Sequence, residues 1–339
     1  MDRDAESLRR RIRRLRELGK KGEKDGLFLG VNGTLKEVWQ EGKQPAALRL
    51  RHNFVIDRAD VDRQPPASRL LNPRGIALRF YLLALFEAQC RLDPGAEWTG
   101  DRPFRGRHGW KDFVAVDVGY NSATDTYTHA PPRAQETKRI RQVKGALCTL
   151  EDLGDQALVE IPRKKGGHRD HKAFRLMRET GRGAALTADY YVVPAADEAV
   201  IEIPIDFFRQ GWVQVLYPSE IFTWLSLRFL RLKFPGEHQE SGNYLYAKKR
   251  EYFHLLRDSY EDSCQTLMEF GLVRRMPTAA EKAAPAPGTF ESLFQQPSQP
   301  GGRADRYEPY RYQLVDEGLA VDALEKCMRE LVLRQNGKG

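Results

Sequence analysis

Residues 244–275 limit what this 339-residue chain can fold into more than any other stretch. A basic segment carrying Lys248, Lys249 and Arg250 ends at Phe253, and a three-residue corner passes through Leu255 to Arg257. A second helix is expected to open on Asp258-Ser259 and stop at Gly271, with Asp258 or Ser259 capping the first turn. Tyr260, Cys264, Leu267 and Leu272 fall on one side at helical spacing, which turns Ser259, Asp262, Ser263 and Thr266 outward. Leu272-Val273-Arg274-Arg275 then reads as the first strand of a hairpin. Two short helices, a tight corner and a strand leave few architectures open.

The same order of elements occurs earlier in the chain. Pro73 opens a helix through Arg91 that is apolar on nearly all sides and so belongs in a core. A second helix, Gln135 to Leu153, buries Ile140, Val143, Leu147 and Leu150 and displays cations on its other face. Two strand-like runs follow, Ala157–Ile161 and Lys172–Met177, and the tip between them carries Arg163, Lys164, Lys165 and Arg169. In the second half Pro218 opens the core helix, the pair at 248–271 follows, and Gly271–Arg275 is expected to pair with Tyr310–Val315. A Pro/Ala/Gln/Gly-rich insertion, 277–306, swells that tip and is too polar to pack.

The rest of the chain fits around these units. Residues 26–57 alternate apolar and polar and read as strand, Phe113–Val118 is a further strand candidate, and Ala199–Val213 reads as a strand running into a turn. Leu8, Ile12, Leu15 and Leu18 line one face of a basic N-terminal helix, too short to be stable alone. A C-terminal helix, Val321 to Arg334, carries the stripe Leu324, Cys327 or Met328, and Leu331. Such a stripe docks on its own domain or, in a homodimer, on a second subunit.

Composition narrows the chemistry. The net charge is 55 − 47 = +8, unevenly placed, with Arg9, Arg10, Arg11, Arg13, Arg14, Arg16, Lys20, Lys21 and Lys24 crowded at the start. Such a run attracts polyanions or forms a solvated face. Cys90, Cys148, Cys264 and Cys327 lie far apart in apolar patterns and suit buried thiols rather than a zinc site or disulfide framework. No apolar run nears the roughly 18 residues that span a bilayer, and no signal-peptide core follows Met1. A cytoplasmic, nucleoid-associated protein is expected. His168 and His171 could ligate a metal only on a helix, which Gly166-Gly167 argues against. Tyr190-Tyr191 suits strand packing better than a nucleophile. Phosphate-loop and nucleophile-elbow motifs are missing, so neither enzyme activity nor a cofactor is expected.

Double-stranded DNA is the partner these patterns favour. A helix fits the major groove when an apolar back fixes its angle and polar or cationic residues face out. On 135–153, Lys138, Arg139 and Gln142 are placed to address base edges, and Arg133, Arg141 and Lys144 to hold phosphates. Arg163, Lys164, Lys165, Arg169 and Lys172 suit a wing along the backbone. In the second unit Lys248, Lys249, Arg250, Arg257, Ser259, Ser263, Arg274 and Arg275 favour contact, against Asp258, Glu261, Asp262 and Glu269.

The pair of units resembles tandem winged-helix proteins such as plasmid replication initiators and the repressors related to them. The resemblance holds in residue type over 248–275 and in order of elements over about 70–330. It implies an α+β fold of two winged helix-turn-helix units, each a small helical core with a β-hairpin wing. The division is a basic arm at 1–25, a first unit at 26–198 and a second at 199–339. It also implies sequence-specific, non-catalytic DNA binding in replication or transcription. The acidic second helix, the proline-rich insertion and residues 93–132 depart from the pattern. A nucleoprotein scaffold whose second unit recruits a protein partner is the alternative, and a DNA-nicking enzyme a more distant one.

Overall fold

A computed structural model describes residues 3–20, 26–57, 62–71, 76–116, 120–121, 126–127, 132–181, 188–245, 250, 252–277 and 310–337. Among these residues the fold is α+β, mostly helical, with two-stranded antiparallel sheets between the helices. No described helix is long and apolar enough to cross a membrane.

From the N-terminus run α1 (Arg3–Gly19), α2 (Leu27–Glu41), β1 (Ala47–Arg51), the single turn α3 (Pro66–Arg69) and α4 (Ala77–Arg91). The short strands β2 (Tyr120–Asn121) and β3 (Thr126–Tyr127) precede α5 (Pro132–Glu151). Then come β4 (Val159–Glu160), β5 (Arg175–Leu176) and β6 (Val200–Pro204). The turns α6 (Asp206–Arg209) and α7 (Trp212–Val215) lead into α8 (Pro218–Lys233) and α9 (Pro235–Glu240). Last are α10 (Arg257–Glu269), β7 (Val273–Met276), β8 (Arg311–Leu314) and α11 (Ala323–Asn336).

Two helices organise the interior. Every side chain of α4 from Ala77 to Cys90 is buried, as its all-round apolar sequence requires. In α8 the buried run extends from Glu220 to Leu230. Helix α5 packs on α4, and α10 packs on α8. Both expected hairpins form, β4 with β5 and β7 with β8, the latter in the register Val273↔Leu314. Strand β1 pairs with β6, Leu48 opposite Ile203.

Several expectations fail for local reasons. The strand reading of 26–57 holds only for β1, because Phe28, Val31, Leu35 and Val38 recur at helical spacing and bury one side of α2. Residues 113–116 are buried coil rather than strand, following a turn at Trp110–Asp112. Neither Asp258 nor Ser259 caps α10, whose N-cap is Leu256 without a side-chain bond. Gly271 does end that helix, at φ +77°, where a Cβ would be strained.

The basic N-terminal helix is held within the fold. Ile12, Leu15 and Leu18 are buried, and α1 packs on α11 through Cys327 and Leu331, which are buried too. Arg11 is also buried, donating to both carboxylate oxygens of Glu220 (2.8 Å to Oε2) and lying 4.2 Å from the centre of the Tyr217 ring. Residues 278–306 of the proline-rich insertion lie outside the described residues.

Candidate nucleic-acid interface

An aromatic cluster under α4 seats α5 and the β4–β5 hairpin together. Trp110 lies 5.3 Å from Phe80 of α4, 5.1 Å from Phe113 and 5.7 Å from Phe174, which leads into β5. Trp98 adds a contact with Phe174 at 5.2 Å and donates to the buried Glu87 carboxylate at 2.7 Å. On α5 this leaves Val143, Ala146, Leu147 and Leu150 buried. Arg133, Arg141, Gln142 and Lys144 are exposed, and Lys138 is half-buried.

Arg139 departs from its expected role. It lies four residues, about one helical turn, before Val143, on the flank of the buried stripe, and its guanidinium turns inward to the Lys111 carbonyl at 3.5 Å. A side chain held there is not presented to a base edge.

The hairpin tip sits beside the C-terminal end of α5. Glu151 accepts from the Ile161 N–H at 3.1 Å, from Arg163 at 3.3 Å and from Arg169 at 2.6 Å, while Arg169 also reaches Asp152 at 2.6 Å. Lys164 pairs with Asp170 at 3.5 Å. Arg163, Lys164 and Arg169 are thus partly neutralised within the chain. Arg133, Arg141, Lys144, Lys165 and Lys172 have no carboxylate partner among the described residues.

Histidines 168 and 171 belong to this tip, and no group of side chains among the described residues could hold a metal ion. His171 Nε2 lies 3.4 Å from Cys148 Sγ on α5. Burial, then the charges of Lys144 and Arg169, hold its pKa below the ordinary 6.5. Tyr190 and Tyr191 are structural: the first donates to Glu160 at 2.6 Å, and the buried second accepts from Gln89 at 2.8 Å.

The second unit is arranged differently. Ser263 and Thr266 are buried, contrary to the outward placement expected of them. Ser259, half-buried, and Ser263 line a polar cleft with Arg11, Glu220 and Arg334, because α1 and α11 cover that flank of α10. Ser263 is therefore no DNA contact in this conformation. Arg257 pairs with Glu261 at 2.9 Å, Arg274 donates to Gln313 at 2.8 Å, and Arg275 lies 4.3 Å from the Tyr310 ring centre. Arg250 is half-buried, and Lys248 and Lys249 lie outside the described residues.

One feature was not read from the sequence. A groove between α10 and the β7–β8 hairpin is lined by Tyr244, Tyr260, Met268, Arg275, Tyr310 and Tyr312. The tyrosines flanking the hairpin were its only signal, and helical spacing accounted for Tyr260 alone.

No family model, curated protein or solved structure matches the chain.

Proposed function

We propose that this protein binds double-stranded DNA without catalysing a reaction on it, as a replication initiator or transcription regulator built from two winged-helix units in tandem. The outer face of α5 enters the major groove, with Gln142 and Lys138 toward base edges and Arg133, Arg141 and Lys144 toward phosphates. Lys165 and Lys172 on the adjoining tip follow the backbone, with Lys164 beside them.

One observation carries this reading. Arg133, Arg141, Lys144, Lys165 and Lys172 lie exposed, and without carboxylate partners among the described residues, on two elements that Glu151 and Asp152 bind together. A surface evolved only for solubility intersperses both signs of charge. Here the acids are used to fix the scaffold, and the outward residues remain cationic.

Affinity for duplex DNA measured over a salt series tests it. Log Kd should change linearly with log salt, with a slope set by the phosphates neutralised. Alanine at Gln142 should flatten preference among sequences, whereas alanine at Lys164 and Lys165 should weaken every duplex alike. A salt-independent affinity, or none, rejects the reading.

A protein partner for the second unit is the other reading a specific observation favours. The open side of α10 shows Asp258, Asp262 and Met268, with Tyr310 exposed across the groove. Acids repel phosphates, and an aromatic groove beside them suits a polypeptide better than a duplex.

A further inference from the structure

The first turns of the two core helices carry opposite charge. In α8 the third residue is Glu220, whose carboxylate caps the helix by accepting from the Tyr217 N–H at 2.8 Å and is paired with Arg11. In α4 the third residue is Arg79, the first turn has no acid, and the N-cap Ile76 supplies no side-chain bond. A cation there adds to the positive end of the helix dipole instead of opposing it.

Arg79 is also 9% exposed and has no carboxylate partner among the described residues. Its Nη2 makes one long bond to the Leu216 carbonyl at 3.3 Å, and its buried Nε has no acceptor. Side chains lean toward the N-terminus of their helix, which directs this guanidinium to the uncapped end. Beside it stands a second arginine: Arg14 of α1 donates to the Gln214 carbonyl at 3.2 Å, two residues from Leu216. Burial, with the charge of Arg14 adding to it, pushes the Arg79 guanidinium down to about 9. A buried, unpaired charge is among the costliest features a fold can keep.

We propose that Arg79 and Arg14 form a phosphoryl-anion site at the head of α4, where a bound phosphate group does for α4 what the Glu220 carboxylate does for α8. Two guanidiniums on different helices, beside the positive end of α4, suit a phosphoryl group whose oxygens accept from several directions. The phosphoryl group is that of free phosphate or of a nucleic-acid backbone.

Thermal unfolding of the full chain tests the site, comparing inorganic phosphate with chloride at equal ionic strength. At about a tenfold excess over Kd, Tm should rise by about 2 °C. Arg79→Met should abolish that rise and should itself melt higher than the parent in chloride, since it buries no charge. An equal rise in both proteins, or none in the parent, overturns the proposal. If Arg79→Met fails to fold, Arg14→Met serves, with phosphate affinity by calorimetry expected to fall at least about tenfold; unchanged affinity overturns the proposal. A duplex then separates the sources: the phosphate effect vanishes on the DNA complex if the backbone fills the site, and persists if a free anion does.

Discussion

Arg169 donates from Nε to Oε2 of Glu151 at 2.6 Å, fastening the tip of a hairpin to the C-terminal end of a helix 18 residues earlier in the chain. The two elements that carry the exposed cations are therefore tied together by an ion pair.

Arg169→Ala should release the tip from α5. Duplex affinity, by fluorescence anisotropy, is expected to fall about tenfold, more than the loss of one phosphate contact. The half-exposed pair contributes at most about 1 kcal/mol to folding, so Tm should barely move. A large fall in Tm with unchanged DNA affinity contradicts this assignment.

Trp110 holds the surface from beneath. It is fully buried against Phe80, Phe113 and Phe174. Trp110→Ala should cost about 3–5 kcal/mol in urea unfolding, through lost burial and the cavity left behind.

Arg51 joins β1 to two acids, donating to the buried Glu179 at 2.9 Å and to Glu198. Arg51→Met should destabilise the chain by about 3–5 kcal/mol, because it strands Glu179 without a counter-charge. The double variant with Glu179→Leu should recover much of that loss, and denaturant melts of both variants check it.

Acid sensitivity should trace partly to His238. Its Nε2 accepts from the Leu314 N–H at 2.9 Å, a bond open only to the neutral ring. Burial, then Arg231, Arg228 and Arg274, keep its pKa below the ordinary 6.5. As pH falls, protons bind the unfolded chain first, so this stabilisation is complete above about 6.5 and is lost progressively below it. His238→Gln should lessen the fall in Tm between about pH 7.5 and about pH 5.5. His171, whose pKa is depressed in the same direction, leaves a residual slope.

Much of the architecture was legible because apolar spacing is a direct record of burial. The stripe Tyr260, Cys264, Leu267 predicted α10 and its buried side, and Val143, Leu147 and Leu150 did so for α5. The alternation seen at 48–51 was extended back over α2, where Phe28, Val31, Leu35 and Val38 keep helical spacing instead. Arg139 could have been placed correctly from its spacing of four residues, one helical turn, before Val143. Ser263 could not, because what buries it comes from the two ends of the chain.

Sequence alone determined the helices α4, α5, α8 and α10, the two hairpins, and that α4 and α8 form the interior, since periodicity and turn chemistry act over a few residues. Tertiary structure decided the pairing of charges: Arg11 with Glu220, Arg169 with Glu151, and Arg79 with no acid among the described residues. Ion pairs join residues far apart in the chain, and electrostatic energy depends on separation and burial in space, which no local pattern encodes.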